Sequence, residues 1–93
     1  MYLNQDYKLI QFAGQYYLIS VIKAEGPDAV MQLSETAGWI LSAINGGMPR
    51  EKIASEMTEE FDVDWDRAEE GLRQFLDALV QKGILTDGPE KGR

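Results

Sequence analysis

The chain has 93 residues, which is enough for one domain with its own core, and its formal net charge is −7. This charge disfavours DNA and RNA as partners, because nucleic-acid affinity comes largely from Lys and Arg that neutralise phosphates. Cysteine and histidine are both absent, which excludes disulfides, thiolate nucleophiles, imidazole acid–base catalysis and the usual zinc sites. Residues 1–6 lack a basic region followed by a long apolar stretch, so we expect a cytoplasmic protein without a membrane anchor.

The first third of the chain alternates between apolar and polar residues, as strands with one buried face do. Tyr7–Ala13 and Gln15–Ile22 both show this period of two and are separated by Gly14, which predicts a hairpin. The residues Glu25-Gly26-Pro27-Asp28 favour a turn, and Ala29–Leu33 then supplies a third short strand. Together these segments predict a three-stranded antiparallel meander.

Two helices are predicted next. Ser34 is placed to cap the first, whose apolar residues recur at helical spacing until Asn45-Gly46-Gly47 ends it. Pro49 suits the first turn of the second, although Met48 stands where a Ser, Thr or Asp cap would be expected. The apolar stripe of this second helix consists of Ile53, Ala54, Met57 and Phe61.

A third, longer helix begins after Asp64, which can cap it, and ends at Gly83. Its predicted core face contains Trp65, Ala68, Leu72, Phe75, Leu76 and Leu79. Ile84–Thr86 is a candidate wing strand. The predicted fold is therefore α+β, a winged helix-turn-helix-like domain over residues 1–86 with a three-stranded antiparallel sheet and a three-helix bundle, followed by a flexible tail at 87–93.

Several short motifs follow the predicted meander in a fixed order and at fixed spacing. They are Leu33-Ser34-Glu35-Thr36-Ala37 with Ile40, Gly46-Gly47, Ile53-Ala54, Phe61-Asp62-Val63-Asp64, Phe75-Leu76 with Leu79, and Gly83-Ile84-Leu85. This arrangement resembles the PqqD family, the stand-alone form of the peptide-recognition domain called the RiPP recognition element. The similarity extends over nearly the whole chain.

The resemblance implies a non-catalytic peptide chaperone without a cofactor or metal. Such a domain binds the leader of a ribosomally synthesised precursor and presents it to a modifying enzyme, in the making of a peptide natural product or a PQQ-like cofactor. That enzyme is often a radical S-adenosylmethionine enzyme, and a leader peptidase is the other candidate. In such domains the leader adds as a strand beside the third strand and lies against the third helix.

The third predicted strand supplies the first group of candidate peptide-binding residues: Ala29, Val30, Met31, Gln32 and Leu33. Its outer edge would present unpaired N–H and C=O groups to an extended peptide. Either Val30 or Met31 would form an apolar wall, depending on which face turns inward, and Gln32 would help to fix the register. The same edge could instead be covered by the domain's own helix or form a homodimer.

The third predicted helix supplies the second group: Arg67, Gly71, Arg73, Gln74 and Ala78. Gly71 is informative, since a glycine inside a helix costs about 1 kcal/mol relative to alanine. Either another backbone approaches it closely, or it is a tolerated surface glycine or packs under a strand. The two arginines could pair with leader carboxylates. Alternatively, Arg73 could pair with Glu69 or Asp77 and Arg67 with Glu70 within the helix.

Other functional classes fit the sequence less well. A winged-helix transcriptional regulator would read DNA with residues 64–82, where five acidic residues oppose three basic ones. A carrier protein would need a modifiable Ser in an Asp-Ser-Leu context, which Gln32-Leu33-Ser34-Glu35 does not supply. A protein–protein adaptor stays open. The acidic run Glu59–Asp66 lacks the glycine and terminal glutamate of a calcium loop, and no carboxylate pair stands beside a nucleophile, so no enzyme is indicated.

Overall fold

The computed structural model describes residues 1–21 and 29–86. In chain order the elements are β1 (Tyr2–Leu3), β2 (Tyr7–Phe12), β3 (Gln15–Ser20), β4 (Val30–Leu33), α1 (Glu35–Asn45), α2 (Arg50–Glu60), α3 (Trp65–Gln81) and β5 (Leu85–Thr86). The predicted α+β architecture, with a three-stranded antiparallel sheet and three helices, is confirmed. The turn predicted at residues 25–28 and the tail predicted at 87–93 lie outside the described residues.

The sheet has the order β2-β3-β4 and is antiparallel throughout. Its hairpin turns at Ala13 and Gly14, whose φ angles are 54° and 78°. Two successive positive φ angles match the twist of the flanking strands, so a two-residue loop suffices here. The predicted alternation of side chains between the two faces of the sheet is also observed. Leu9 lies opposite the buried Leu18, and Ile10 lies opposite Tyr17 on the other face. We call the face that carries Leu18 the inner face.

Side-chain caps fix the starts of two helices as the sequence predicts. The Ser34 hydroxyl accepts a hydrogen bond from the Ala37 N–H at 3.1 Å, and an Asp64 carboxylate oxygen accepts one from the Arg67 N–H at 2.9 Å. Pro49 is the N-cap of α2 and makes no side-chain capping bond, so it precedes that helix instead of standing in its first turn.

The core lies between the inner face of the sheet and the three helices. Its buried members are Leu18, Ile40, Leu41, Ile44, Ile53, Ala54, Met57, Ala68, Leu72, Leu76, Ile84 and Leu85. The prediction that Trp65 belongs to the core is wrong, since 46% of it is exposed. Trp65 opens α3, and the partly buried Phe61 and Val63 pack against the core instead.

The N-terminal strand β1 was not predicted. It pairs antiparallel with β5, so that Tyr2 lies opposite Thr86. Asn4 reinforces this junction, because its N–H donates to the Ile84 carbonyl at 2.8 Å and its Nδ2 donates to the Gly83 carbonyl at 2.9 Å. The candidate wing strand at residues 84–86 is therefore a partner of the N-terminus and not of the main sheet.

A glycine in α1 lets the sheet and the helices approach closely. Gly38 is buried, and a Cβ placed on it would overlap the Cβ, Cγ and Cδ2 atoms of Tyr16 in β3. The base of the Tyr16 ring therefore rests directly on the α1 backbone. Tyr16 lies opposite Leu33 of β4, so this contact joins α1 to the part of the sheet where β4 ends.

None of the helices in the described residues combines the length and the hydropathy that crossing a membrane requires.

Candidate functional site

In the described part of the chain, β4 is an edge strand of the main sheet. The Ser20 N–H donates to the Ala29 carbonyl at 2.9 Å. Opposed residues of an antiparallel ladder alternate between hydrogen-bonded and non-hydrogen-bonded pairs. Counting from that bond, the N–H and C=O groups of Met31 and Leu33 point toward β3, whereas those of Val30 and Gln32 point away from it. The free edge thus carries two residues whose backbone groups face outward.

The register of β4 also shows which of Met31 and Val30 lies on the inner face, a question that the sequence left open. Met31 lies opposite the buried Leu18 and shares the inner face with it, and 41% of Met31 is exposed. Val30 lies opposite Ile19 on the outer face. Met31 therefore offers an adaptable apolar surface beside the free edge, on the side where the helices lie. Ala29 precedes β4 and is buried.

Gln32 is connected to the neighbouring strand through its side chain. Its Nε2 donates to the Gln15 Oε1 at 2.7 Å, in a pair that is exposed on the outer face. This hydrogen bond links the end of β4 to the start of β3, and the role of Gln32 in fixing the register of a bound peptide stays a prediction. Leu33, the last residue of β4, is half-buried against the core.

On α3 the structure brings three candidate residues together. Arg67, Gly71 and Gln74 line an open groove of about 510 Å³, together with Asp64, Asp66 and Glu70. A Cβ added to Gly71 would have no atom within 4 Å, so this glycine does not pack under a strand. Ala78 lies two turns beyond Gly71 on the same side of the helix and is exposed.

Arg73 does not belong to this groove. At 100° per residue it lies about 160° around the helix from Gly71. It pairs with Glu70 at 2.8 Å and with Asp77 at 3.6 Å. The Asp77 pair confirms one of the sequence alternatives, but the predicted pairs of Arg73 with Glu69 and of Arg67 with Glu70 do not form. Gln74 also donates to Glu70, at 2.7 Å, so this carboxylate is already engaged.

The two groups of candidates occupy different neighbourhoods. Within the described residues, β4 packs mainly on β3 and α1, whereas α3 packs mainly on α2 and β5. No residue of β4 is among those that line the α3 groove. The role of both groups in binding a peptide stays a prediction.

The outer face of the sheet carries exposed apolar side chains that were not predicted from the sequence as a surface. Phe12 is 70% exposed there, and Ile10, Val21 and Val30 are also exposed. The signal was present in the sequence, because a half-buried strand normally has polar residues on its outward positions, and Ile10 and Phe12 break that rule in β2. Contiguous exposed apolar residues of this kind mark interaction surfaces.

Comparison with solved structures shows the same fold in two proteins. The structure described as TbiB1 in complex with the TbiA(beta) leader peptide aligns with a TM-score of 0.80 and 22% identity, covering 97% of this chain and 100% of that one. Lasso peptide synthetase B1 complexed with the leader peptide aligns with a TM-score of 0.73 and 22% identity, covering 88% and 92% of the two chains. No curated protein matches the sequence significantly.

The two structures share 22% identity with this chain and show its fold alone. A family model identifies the family. The model described as coenzyme PQQ synthesis protein D (PqqD) matches residues 20–85. This match runs from the end of β3 to the first residue of β5 and includes the free edge of β4 and all three helices. The chain therefore belongs to the PqqD family, as the order of its motifs indicated.

Proposed function

We propose that this protein binds the leader of a ribosomally synthesised precursor peptide by strand addition at β4 and presents the peptide to a modifying enzyme. The observation that carries the proposal is the free edge, where Val30 and Gln32 direct their backbone groups away from β3. Family membership supports it, as do the two similar structures, whose descriptions state that they contain leader peptides.

An added strand would use the free edge in a defined way. Up to four backbone hydrogen bonds are on offer, from the N–H and C=O groups of Val30 and Gln32. Side chains of the peptide would alternate between the two faces of the sheet. Those on the inner face would contact Met31 and Leu33, and those on the outer face would lie beside Val30 and Gln32. Main-chain bonds would supply affinity, and the Met31 side would supply most of the selectivity.

The α3 groove would serve the segment of the leader that lies beyond the added strand. Gly71 leaves its backbone open to close approach, and Arg67 makes no ion pair within the described residues, so it is available to a carboxylate of the peptide. Arg73 is less suited, because Glu70 and Asp77 already neutralise it. We place Arg67, Gly71, Gln74 and Ala78 in this second contact.

The domain would act without catalysis of its own. With no histidine or cysteine in the sequence, it lacks the side chains most used for nucleophilic and acid–base chemistry at neutral pH. The modifying enzyme, a radical S-adenosylmethionine enzyme or a leader peptidase, would supply the reaction. We place this cooperation in the cytoplasm, where ribosomal precursors are made.

The apolar outer face offers the enzyme a docking surface next to the bound leader. Strand addition at β4 would widen the sheet from three strands to four and would extend the surface that Ile10, Phe12 and Val30 form. An enzyme seated there would contact the domain and the leader at once. This arrangement would make enzyme docking stronger when the leader is bound, because the leader contributes its own outward side chains to the surface.

Proline substitution at Gln32 tests strand addition without breaking the sheet. Gln32→Pro removes an outward N–H, and proline is tolerated where the N–H faces away from the ladder. We expect loss of affinity for the leader by at least about ten-fold, since one hydrogen bond is lost and the ring obstructs the edge. Titration of the leader encoded beside the gene, followed by calorimetry and amide NMR shifts, measures this.

Gln32→Ala is the matched control, because it removes the side chain and keeps the N–H. We expect it to bind the leader within about two-fold of the wild type, as an exposed side-chain hydrogen bond contributes little. Equal affinity of the proline and alanine variants for the leader would rule out strand addition at this edge. No shift with any peptide encoded beside the gene, together with a partner captured through another face, would point to the adaptor or regulator alternatives.

A further inference from the structure

A cavity of about 340 Å³ lies at the end of β4 and adjoins the free edge. Five elements contribute to its lining, namely β2, β3, β4, α1 and α2, so its shape depends on the tertiary fold. Its main lining residues are Gln15, Tyr16, Leu33, Glu35, Trp39 and Glu60. We call it the end cavity. Leu33 lies opposite Tyr16, which lies opposite Gln11, so the cavity runs across the inner face at the hairpin end of the sheet and meets β4 at Leu33.

Aromatic side chains held by the fold form part of its lining. Tyr16 rests on the α1 backbone at Gly38. Trp39 packs edge-on against Phe61, with ring centroids 5.4 Å apart and an interplanar angle of 85°. Because both rings are fixed by contacts outside the cavity, they would lose little conformational freedom when a ligand enters.

Two carboxylates give the end cavity its charge. Glu35 and Trp39 lie four residues apart on α1 and therefore on one side of it, and Glu60 is the last residue of α2. Neither glutamate makes an ion pair within the described residues, in contrast to Glu56 and Glu70. No basic residue occupies the last turn of α2, so the negative end of that helix adds to the potential.

We propose that the end cavity receives the side chain of a basic residue, arginine or lysine, from the peptide bound at β4. This assignment rests on the proposed strand addition and names a specificity determinant for it. The cation would face two carboxylates and aromatic rings, a combination that favours a guanidinium in particular. The basic residue would lie at the end of the added strand that borders Leu33, outside the paired segment itself.

A small probe isolates the cavity from strand addition. We would titrate N-acetyl-arginine amide at constant chloride and follow the Trp39 indole N–H and the amides of Gln15 and Leu33 by NMR. N-acetyl-citrulline amide is the neutral probe of nearly the same shape. We expect saturable shifts at these three residues with the arginine probe, and a dissociation constant at least about five-fold weaker with the citrulline probe.

Matched charge variants separate a site from general attraction to an acidic protein. The variant carrying Glu35→Gln and Glu60→Gln should weaken binding of the arginine probe by about five-fold or more. The variant carrying Glu51→Gln and Glu69→Gln removes the same charge away from the cavity and should leave it unchanged. Equal shifts with the two probes, or equal losses in the two variants, would overturn the proposal.

Strand addition at β4 and binding of a basic side chain in the end cavity can each be refuted without the other. If the arginine probe shows no selectivity while Gln32→Pro still abolishes leader binding, strand addition stands and the assignment of the end cavity is wrong. If the arginine probe binds selectively but Gln32→Pro leaves leader affinity unchanged, the cavity binds cations and its assignment to a strand-added leader is overturned.

Discussion

Two glycines inside helices should respond to alanine with opposite signs. Gly38 in α1 is buried under Tyr16, whereas Gly71 in α3 faces open space. Helix propensity alone favours alanine by about 1 kcal/mol at each position. We therefore expect Gly71→Ala to raise the free energy of unfolding by about 1 kcal/mol. If the change caused by Gly38→Ala differs from this value, the difference measures the effect of the contact with Tyr16.

At Gly38 the steric term should exceed the propensity term. The new methyl group would overlap the Cβ atom of Tyr16, and no change of rotamer can remove this overlap because the β3 backbone fixes the position of Cβ. Relief requires α1 and β3 to separate, and overpacking of this kind costs about 3 kcal/mol. After subtraction of the propensity gain, Gly38→Ala should lower the free energy of unfolding by about 2 kcal/mol.

Urea unfolding monitored by tryptophan fluorescence measures the difference. For a domain of this size a loss of about 2 kcal/mol lowers the urea midpoint by about 1 M. In a Tyr16→Ala background the overlaps with Cγ and Cδ2 are gone and only the contact with Cβ remains, so Gly38→Ala should there destabilise the domain less than it does in the wild type. A stabilising effect of Gly38→Ala in the wild-type background, equal to that of Gly71→Ala, would refute the close contact between α1 and β3.

Two further predictions concern single side chains. Asp64→Ala should lower the free energy of unfolding by about 1 kcal/mol in urea titrations, because the first turn of α3 loses the acceptor for the Arg67 N–H. Asp64→Asn keeps an acceptor oxygen and should retain most of the wild-type stability. Equal losses of stability in both variants would contradict the capping role. Phe12→Ser should leave the free energy of unfolding and the affinity for the leader unchanged, since the side chain is 70% exposed. It should nevertheless slow the reaction of the modifying enzyme on the leader-bound precursor. An unchanged reaction rate would argue against docking of the enzyme on the outer face.

The features that short sequence patterns specify were predictable. The Ala13-Gly14 hairpin, the caps at Ser34 and Asp64 and the stop at Gly83 each depend on residues close together in the chain, and all of them form. The predicted alternation also holds in β2 and β3, where Leu9 shares a face with Leu18 and Ile10 shares the other with Tyr17.

The features that depend on tertiary contacts were not predictable in the same way. Trp65 lies on the apolar stripe of α3, but its position in the first turn leaves it exposed. A strand of two residues such as β1 shows no periodicity, and its partner is at the other end of the chain. Gly38 lies within a helical sequence pattern, and nothing in that pattern predicts its contact with Tyr16. Which residues share the end cavity is likewise decided by how five elements meet.

The pairing of β1 with β5 also determines how the domain can be rearranged. Tyr2 and Thr86 are directly opposed, so their Cα atoms lie about 5 Å apart. A short linker could join these positions, and new ends could then be opened at the Ala13-Gly14 turn to give a circular permutant. The same proximity would let the domain be inserted into a surface loop of an unrelated host protein as a portable module, with the free edge of β4 left accessible.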